Sequence, residues 1–191
     1  MTQNKFAVTG GIGSGKTLFC NILKSMGYEV LSCDGIYAEM LQEEEYLSLL
    51  QARFPDCFAK GALDKKRLAE RVFSSRKDRE QLEALAHPMI MHRLLERMEG
   101  KERVFAEVPL LFEGGYEGLF DRVIVLVRNK QERIESVMRR SGLTEQEVIE
   151  RMESQFDPAL LSGKKCLIVE NNGSEADLMQ KAKEIVNTLD K

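Results

Sequence analysis

Eight residues constrain this 191-residue chain more than all the others: Gly10-Gly11-Ile12-Gly13-Ser14-Gly15-Lys16-Thr17 satisfies G-x-x-x-x-G-K-[ST] in full. Glycines in such a loop allow positive φ, so that backbone N–H groups can curl around phosphate oxygens. An apolar run, Lys5–Thr9, enters the loop. A helical run leaves it, with Phe19, Ile22, Leu23 and Met26 at i, i+3, i+4, i+7 and Gly27 as its stop. A helix starting near Lys16 points its positive end at the same anion. Gly11, Ile12, Gly13, Ser14, Gly15, Lys16 and Thr17 are therefore the expected nucleotide-binding residues. Lys16 would reach the β and γ phosphates and the Thr17 hydroxyl would bind Mg²⁺. The competing reading is a glycine-rich turn of purely structural origin, which the full motif in its strand–loop–helix context argues against. The motif implies nucleotide binding and leaves the reaction open.

Short β-like runs alternate with helical runs along the rest of the chain, which predicts an α/β fold with a mostly parallel sheet. The expected strands are Lys5–Thr9, Glu29–Ser32, Arg103–Val108, Arg122–Val127 and Cys166–Glu170. Leu82, Leu85, Ala86 and Met89 mark a helix, and Pro88 is expected to break it and open a second one. Ile134, Val137 and Met138 mark another short helical face. Thr144 with Glu147, and Ser174 with Asp177, read as capping boxes. Residues 35–100 show helical patterns and no convincing strand, as expected of a helical insertion placed to cover a ligand at the carboxyl edge of the sheet.

Several side chains could act on a phosphate held in the loop. Asp34 follows the second strand, at the edge where the loop lies; it can accept a proton from an attacking hydroxyl or cap the helix beginning near Ile36. Glu107 ends a strand, where it could sit near Mg²⁺ or simply be solvated. Pro109 leaves the sheet at the same edge. Arg128, Arg133, Arg139, Arg140 and Arg151 cluster around two short helices. They could close over a nucleotide, or form a charged face with Glu132, Glu135, Glu147 and Glu150. His87 could be a site residue, although a lone histidine on an apolar helix is more often a core or cap residue. Asn129-Lys130-Gln131-Glu132 nearly spells the guanine-reading N-K-x-D, but it ends in Glu and the chain has no D-x-x-G.

Composition narrows the function classes. Lys plus Arg is 28 against 31 Asp plus Glu, a net charge of −3, which disfavours a nucleic-acid coat protein. No apolar stretch approaches the roughly 20 residues of a membrane span, and no cleavable leader is expected because Phe6–Val8 runs into the loop. Cys20, Cys33, Cys57 and Cys166 form no C-x-x-C pair, so structural zinc and a disulfide framework are not expected and a reducing cytoplasm fits.

Taken together, these segments resemble dephospho-CoA kinase, over nearly the whole length and in the right order. The resemblance begins with Thr9 to Lys16 (T-G-G-I-G-S-G-K) and has Asp34 after the second strand. It continues through Leu68 to Phe73 (L-A-E-R-V-F), Leu85 to Ile90 (L-A-H-P-M-I) and Val108 to Glu113 (V-P-L-L-F-E). Arg140 to Leu143 (R-S-G-L) and Glu170 to Gly173 (E-N-N-G) complete it. It implies a P-loop nucleoside-triphosphate hydrolase fold: a five-stranded parallel sheet flanked by helices, with a helical acceptor-binding insertion and a lid. It implies a nucleotide-binding core of residues 1–34, 101–130 and 156–191, a helical dephospho-CoA-binding region of 35–100 and a lid of 131–155. The implied reaction moves the ATP γ-phosphate to the 3′-hydroxyl of dephospho-CoA, with ATP and Mg²⁺ and with no nucleic-acid, membrane or obligate protein partner. Asp34 would be the base, Lys16 and Arg140 would stabilise phosphate charge, and Asn171 would line the adenine pocket. Thr9, Asp34, His87, Pro109 and Leu110 would bind the acceptor, and Thr17 with Glu107 the metal.

The chain departs from the family pattern at Ser32, where D-A-D is usual and the chain has S-C-D. It departs again at Ala38 and Ser136, where basic residues are usual, at Lys165-Cys166, and near Leu161. Two rival readings share the loop: another small-molecule P-loop kinase with a nucleoside or nucleotide acceptor, and a non-catalytic ATP-binding regulator.

Overall fold

The structure is a computed structural model that describes residues 5–156 and 166–189; the departures at Leu161 and Lys165 lie outside the described residues. The chain divides into two compact units, residues 1–31 with 98–191, and residues 32–97.

A five-stranded sheet in the order β2-β5-β1-β6-β7 organises the first unit. Its strands are β1 (Lys5–Gly10), β2 (Val30–Ser32), β5 (Val104–Glu107), β6 (Arg122–Val127) and β7 (Cys166–Glu170). β1 runs parallel to β5 and β6, and β6 parallel to β7. β1 and β6 are buried along nearly their whole length, which is why they read as continuous apolar runs instead of alternating ones. At the edge, β7 leaves Ile168 exposed. β5 is one residue shorter at each end than expected. Arg103 sits at φ 51, outside the strand region, and Pro109 follows Val108 with no N–H to extend the ladder.

Helices α1 (Lys16–Ser25) and α8 (Glu175–Leu189) pack beside this sheet. Phe19, Ile22 and Leu23 from α1 and Leu178, Ala182 and Val186 from α8 close one core with Phe6, Val8, Phe105 and Ile124. A second, smaller cluster joins α6 (Lys130–Ser141) to α7 (Glu145–Glu153) through Ile134, Val137 and Val148. Thr144 and Glu147 form the expected reciprocal capping box on α7. Ser174 and Asp177 exchange side-chain and backbone hydrogen bonds at the start of α8.

The second unit carries α2 (Cys33–Met40), α3 (Glu44–Arg53), α4 (Lys65–Ser74) and most of α5 (Arg76–Met98). It also contains a hairpin that the sequence reading omits, β3 (Phe58–Ala59) with β4 (Ala62–Leu63). Two-residue strands are too short to show a period, and the turn residues Lys60 and Gly61, at φ 52 and 81, carry no Asn-Gly signature. Pro88 does not break α5, contrary to expectation, and lies inside one continuous helix. Its ring deprives only the Ala84 carbonyl of a partner. Ala84 and Pro88 are both exposed, so water can meet that carbonyl. Ala86, Ile90, Met91 and Leu94 meanwhile bury the opposite stripe. Arg93 holds Glu43 through two parallel bonds, one of 2.6 Å, and Arg97 holds Glu39 in the same way.

Candidate active site

The loop between β1 and α1 is held from several sides. Gly15 takes a left-handed conformation, φ 94, to start α1. Asn171, buried at the end of β7, donates from Nδ2 to the Ser14 carbonyl at 2.9 Å, and its own backbone N–H donates to Val127. Gly13 has φ +76, and a Cβ there would lie 2.7 Å from the Arg133 carbonyl oxygen, so no side chain fits. Lys16 folds back over the loop, donating from Nζ to the Gly10 carbonyl at 2.6 Å and to that of Gly11 at 3.2 Å. The buried Ser14 hydroxyl has no partner among the described residues. A loop of amides with a lysine arched over it and an unsatisfied hydroxyl inside is the polar environment that a phosphate chain would complete.

Glu107 ends β5 in register with Val8, which brings its carboxylate to the loop side of the sheet. The Thr17 hydroxyl donates to the half-buried Glu107 at Oε1, 3.0 Å away. A hydroxyl and one carboxylate, both hard oxygen donors beside a phosphate site, fit Mg²⁺, which commonly takes one or two carboxylates and completes its shell with substrate phosphates and water. Beneath them, burial and then the Glu107 carboxylate push the Cys20 thiol from 9.0 up to about 12, so it stays neutral.

Helix α6 approaches the loop through Arg133, whose Nε donates to the Ile12 carbonyl at 2.8 Å. Gln155, just past α7, accepts from the Ile12 N–H through Oε1 at 2.6 Å. Arg128 bonds Glu132 within the cluster, as the charged-face reading expects. Arg140 lies exposed in the last turn of α6. Asn129, from the near-match to a guanine reader, is the cap of α6 and accepts from the Gln131 N–H.

Thr9, Pro109 and Glu113 line a groove at the head of the loop with Gly10, Gly11 and Gln155. Phe112 and Phe156 form one wall, their rings 4.6 Å apart. Leu110 is half-buried in the turn beyond Pro109, its carbonyl accepting from the Gly114 N–H.

In the other unit, Asp34 is exposed in the first turn of α2. It is not the helix cap. Ser32 takes that place, accepting from the Gly35 N–H at 3.3 Å, and the helix starts at Cys33, three residues before Ile36. His87 is half-buried in the middle of α5.

A sequence model of the dephospho-CoA kinase family matches residues 5–177. The chain belongs to the dephospho-CoA kinase family. The dephospho-CoA kinase of Thermus thermophilus is 36% identical over 95% of this chain and 90% of its own length. That of Helicobacter pylori (strain J99) is 31% identical over 98% of both chains. Among solved structures, one from Thermus thermophilus superposes with a TM-score of 0.81 at 34% identity, covering 99% of both chains. The Campylobacter jejuni dephospho-CoA kinase gives 0.71 at 31%, covering 98% of both. A gluconokinase from Sinorhizobium meliloti, at TM-score 0.56 and 15% identity, shares the fold alone.

Within this member of the dephospho-CoA kinase family, the structure singles out one residue that the sequence names only within a cluster and one that it does not mark at all. Arg133 was one of five clustered arginines with nothing to separate it from its neighbours. Gln155 meets the loop across 143 positions of sequence, and no local pattern marks it.

Proposed function

We propose that the chain transfers the γ-phosphoryl group of ATP to the 3′-hydroxyl of dephospho-CoA, giving coenzyme A and ADP. The observation that carries the reading is the phosphate loop with the Thr17–Glu107 pair at its exit, in a chain that matches the family along nearly its whole length. Asp34 takes the proton of the acceptor hydroxyl, whose oxygen then attacks the γ phosphorus in line, while the electrons of the breaking P–O bond remain on ADP. Lys16 and Arg140 neutralise charge on the transferring group, and the loop amides hold the phosphates in position. Thr17 and Glu107 would hold Mg²⁺, which supplies charge neutralisation on the β and γ phosphates.

Asn171 serves the nucleotide side, where its hold on Ser14 supports the loop and leaves Oδ1 to meet the adenine. The helical unit, with His87, receives the acceptor, whose reacting end is met by Thr9, Pro109 and Leu110. The segment 131–155 acts as the lid, excluding water that would otherwise compete as acceptor. The reaction belongs in the cytoplasm, where the four thiols stay reduced.

The test is ADP release from Mg-ATP with and without dephospho-CoA, with the product weighed by mass spectrometry. A product one phosphate heavier than dephospho-CoA is expected. ATP binding without acceptor-dependent turnover would refute the reading, and nucleosides and nucleotides would then be tried as acceptors.

A further inference from the structure

Ile12 is gripped in three ways by one segment of the chain. Its carbonyl accepts from Arg133 on α6 at 2.8 Å. Its N–H donates to Gln155, past the end of α7, at 2.6 Å. Its side chain packs against the apolar cluster of Ile134, Val137 and Val148 that joins the two helices. Loops of this kind usually present their amides to the nucleotide. Here one amide in the middle of the loop is met by a side chain from a distant element.

We infer that Gln155 is a positioning residue for phosphoryl transfer: it fixes the Ile12 peptide and so ties the α6–α7 segment to the phosphate loop. The inference rests on the kinase reading above. Gln155 Oε1 is engaged by the amide, so any bond it makes to an incoming phosphoryl or acceptor oxygen must come from Nε2. Gln155 lines the groove with Thr9, Gly10 and Gly11, and Gly10 and Gly11 are the residues whose carbonyls anchor the Lys16 ammonium. Gln155 therefore lines the same groove as the two residues that hold Lys16, the side chain that the kinase reading sets against the γ phosphate. Two further contacts fix Gln155 itself. The Phe156 N–H donates to Glu113 Oε1 at 2.9 Å, and the Phe156 ring packs on Phe112 at a tilt of 31°. The backbone carrying the glutamine is thus pinned to the V-P-L-L-F-E turn at the same sheet edge. A glutamine suits the task because it is neutral. A carboxylate could accept the same N–H bond, but it would bring negative charge against the phosphates.

The test compares Gln155→Met, which keeps the length and removes the acceptor, with Gln155→Glu, which keeps an acceptor and adds charge. Turnover, KM for ATP, melting temperature and the ¹⁵N-resolved Ile12 amide are read for each. Gln155→Met should lower kcat roughly tenfold or more while KM for ATP changes less than about threefold, as expected of a lost positioning contact. Its Ile12 amide proton should move upfield and exchange faster. Gln155→Glu should keep the Ile12 amide signature and raise KM for ATP by roughly tenfold through like-charge repulsion. A Gln155→Met enzyme with kcat within about twofold of wild type, or with an unchanged Ile12 amide, overturns the inference. If Gln155→Met does not fold, Gln155→Glu decides: kcat and KM for ATP both within about twofold of wild type would overturn it. Should wild type fail to phosphorylate dephospho-CoA, the kinase reading falls. The Ile12 amide and the ATP affinity of the two variants would still test the grip.

Discussion

The phosphate-loop region and the helical unit of residues 32–97 are held together by different means. Around the loop, backbone groups dominate: Asn171 on the Ser14 carbonyl, Lys16 on the Gly10 and Gly11 carbonyls, Arg133 and Gln155 on Ile12. At Gly13 and Gly15 a side chain would collide with Arg133 or Asn171. Such a site tolerates little change, because its geometry is the geometry of the main chain. In the helical unit, exposed or half-buried ion pairs tie helices: Arg93 to Glu43, Arg97 to Glu39, and Arg71 to Asp78. Among the described residues, Asp34 and His87, to which chemistry is assigned there, have no neighbours that lock them in that way. Substitutions in the first region should therefore abolish function along with local order, and those in the second should separate function from folding.

The largest expected effect tests the first half of that contrast. Lys16→Ala removes the ammonium that arches over the loop and should reduce kcat by roughly 10³-fold, the scale of losing a principal transition-state charge contact. It should also loosen the loop, since its two carbonyl partners lose their donor. Steady-state kinetics with hydrogen exchange at Gly10–Thr17 would show both; unchanged exchange in an inactive enzyme would break the coupling claimed for this region. Asp34→Asn comes next, on the other side of the contrast. Turnover should fall roughly 10²-fold, as for a lost base, with ATP affinity and melting temperature near wild type because the residue is exposed and is not the helix cap. Near-normal turnover would sink the assignment of the base.

How legible each region was in the sequence follows from the same difference. The strand–loop–helix around Lys16 was readable because motif, periodicity and stop residue all fall within about twenty consecutive positions. β6 runs over the residues expected of it, since a parallel strand buried on both faces leaves an unbroken apolar run; β7 also matches its expected span, although at the sheet edge it buries only Val169. What could not be read was long-range. Gln155 meets Ile12 across 143 positions and leaves no local trace; Thr17 and Glu107, 90 positions apart, are paired in the sequence only through the family resemblance. In the helical unit the misreadings were local conflicts settled by tertiary context. Pro88 is tolerated because it and Ala84 face outward, Ser32 displaced Asp34 as cap, and the β3–β4 hairpin is too short to have a period.

A middle-sized effect is expected at Asn171. Asn171→Ala leaves the Ser14 carbonyl without its buried donor and should cost about 1–3 kcal/mol of stability, with weaker ATP binding. Urea unfolding and ATP titration would measure the two. A loss of ATP affinity with no loss of stability would mean that the side chain serves the nucleotide and not the loop.

The smallest effect sharpens the contrast through pH. Hydrogen bonds from Arg97 and Arg93 hold the Glu39 and Glu43 carboxyls below the ordinary 4.5. A carboxyl with a depressed folded-state pKa contributes stability that is present above its unfolded value and is lost as pH falls through the folded one. The pairs that tie α2 and the start of α3 to α5 should therefore weaken as pH drops below about 4.5. In the other unit the depressed carboxyls are Glu147 and Asp177, each lowered by bonds to its own helix cap, Thr144 or Ser174. Protonating those frays a helix end without separating elements. Because Glu39 and Asp177 are exposed and Glu43 and Glu147 only half-buried at the surface, the change in global stability should be slight. Its location is the informative part. On acidification, amide protection should fall first in α2 and α3 and last in β1 and β6, and Glu39→Gln with Glu43→Gln should remove that early phase. Simultaneous loss across sheet and helices would mean that the ion pairs do not set the acid response of the helical unit.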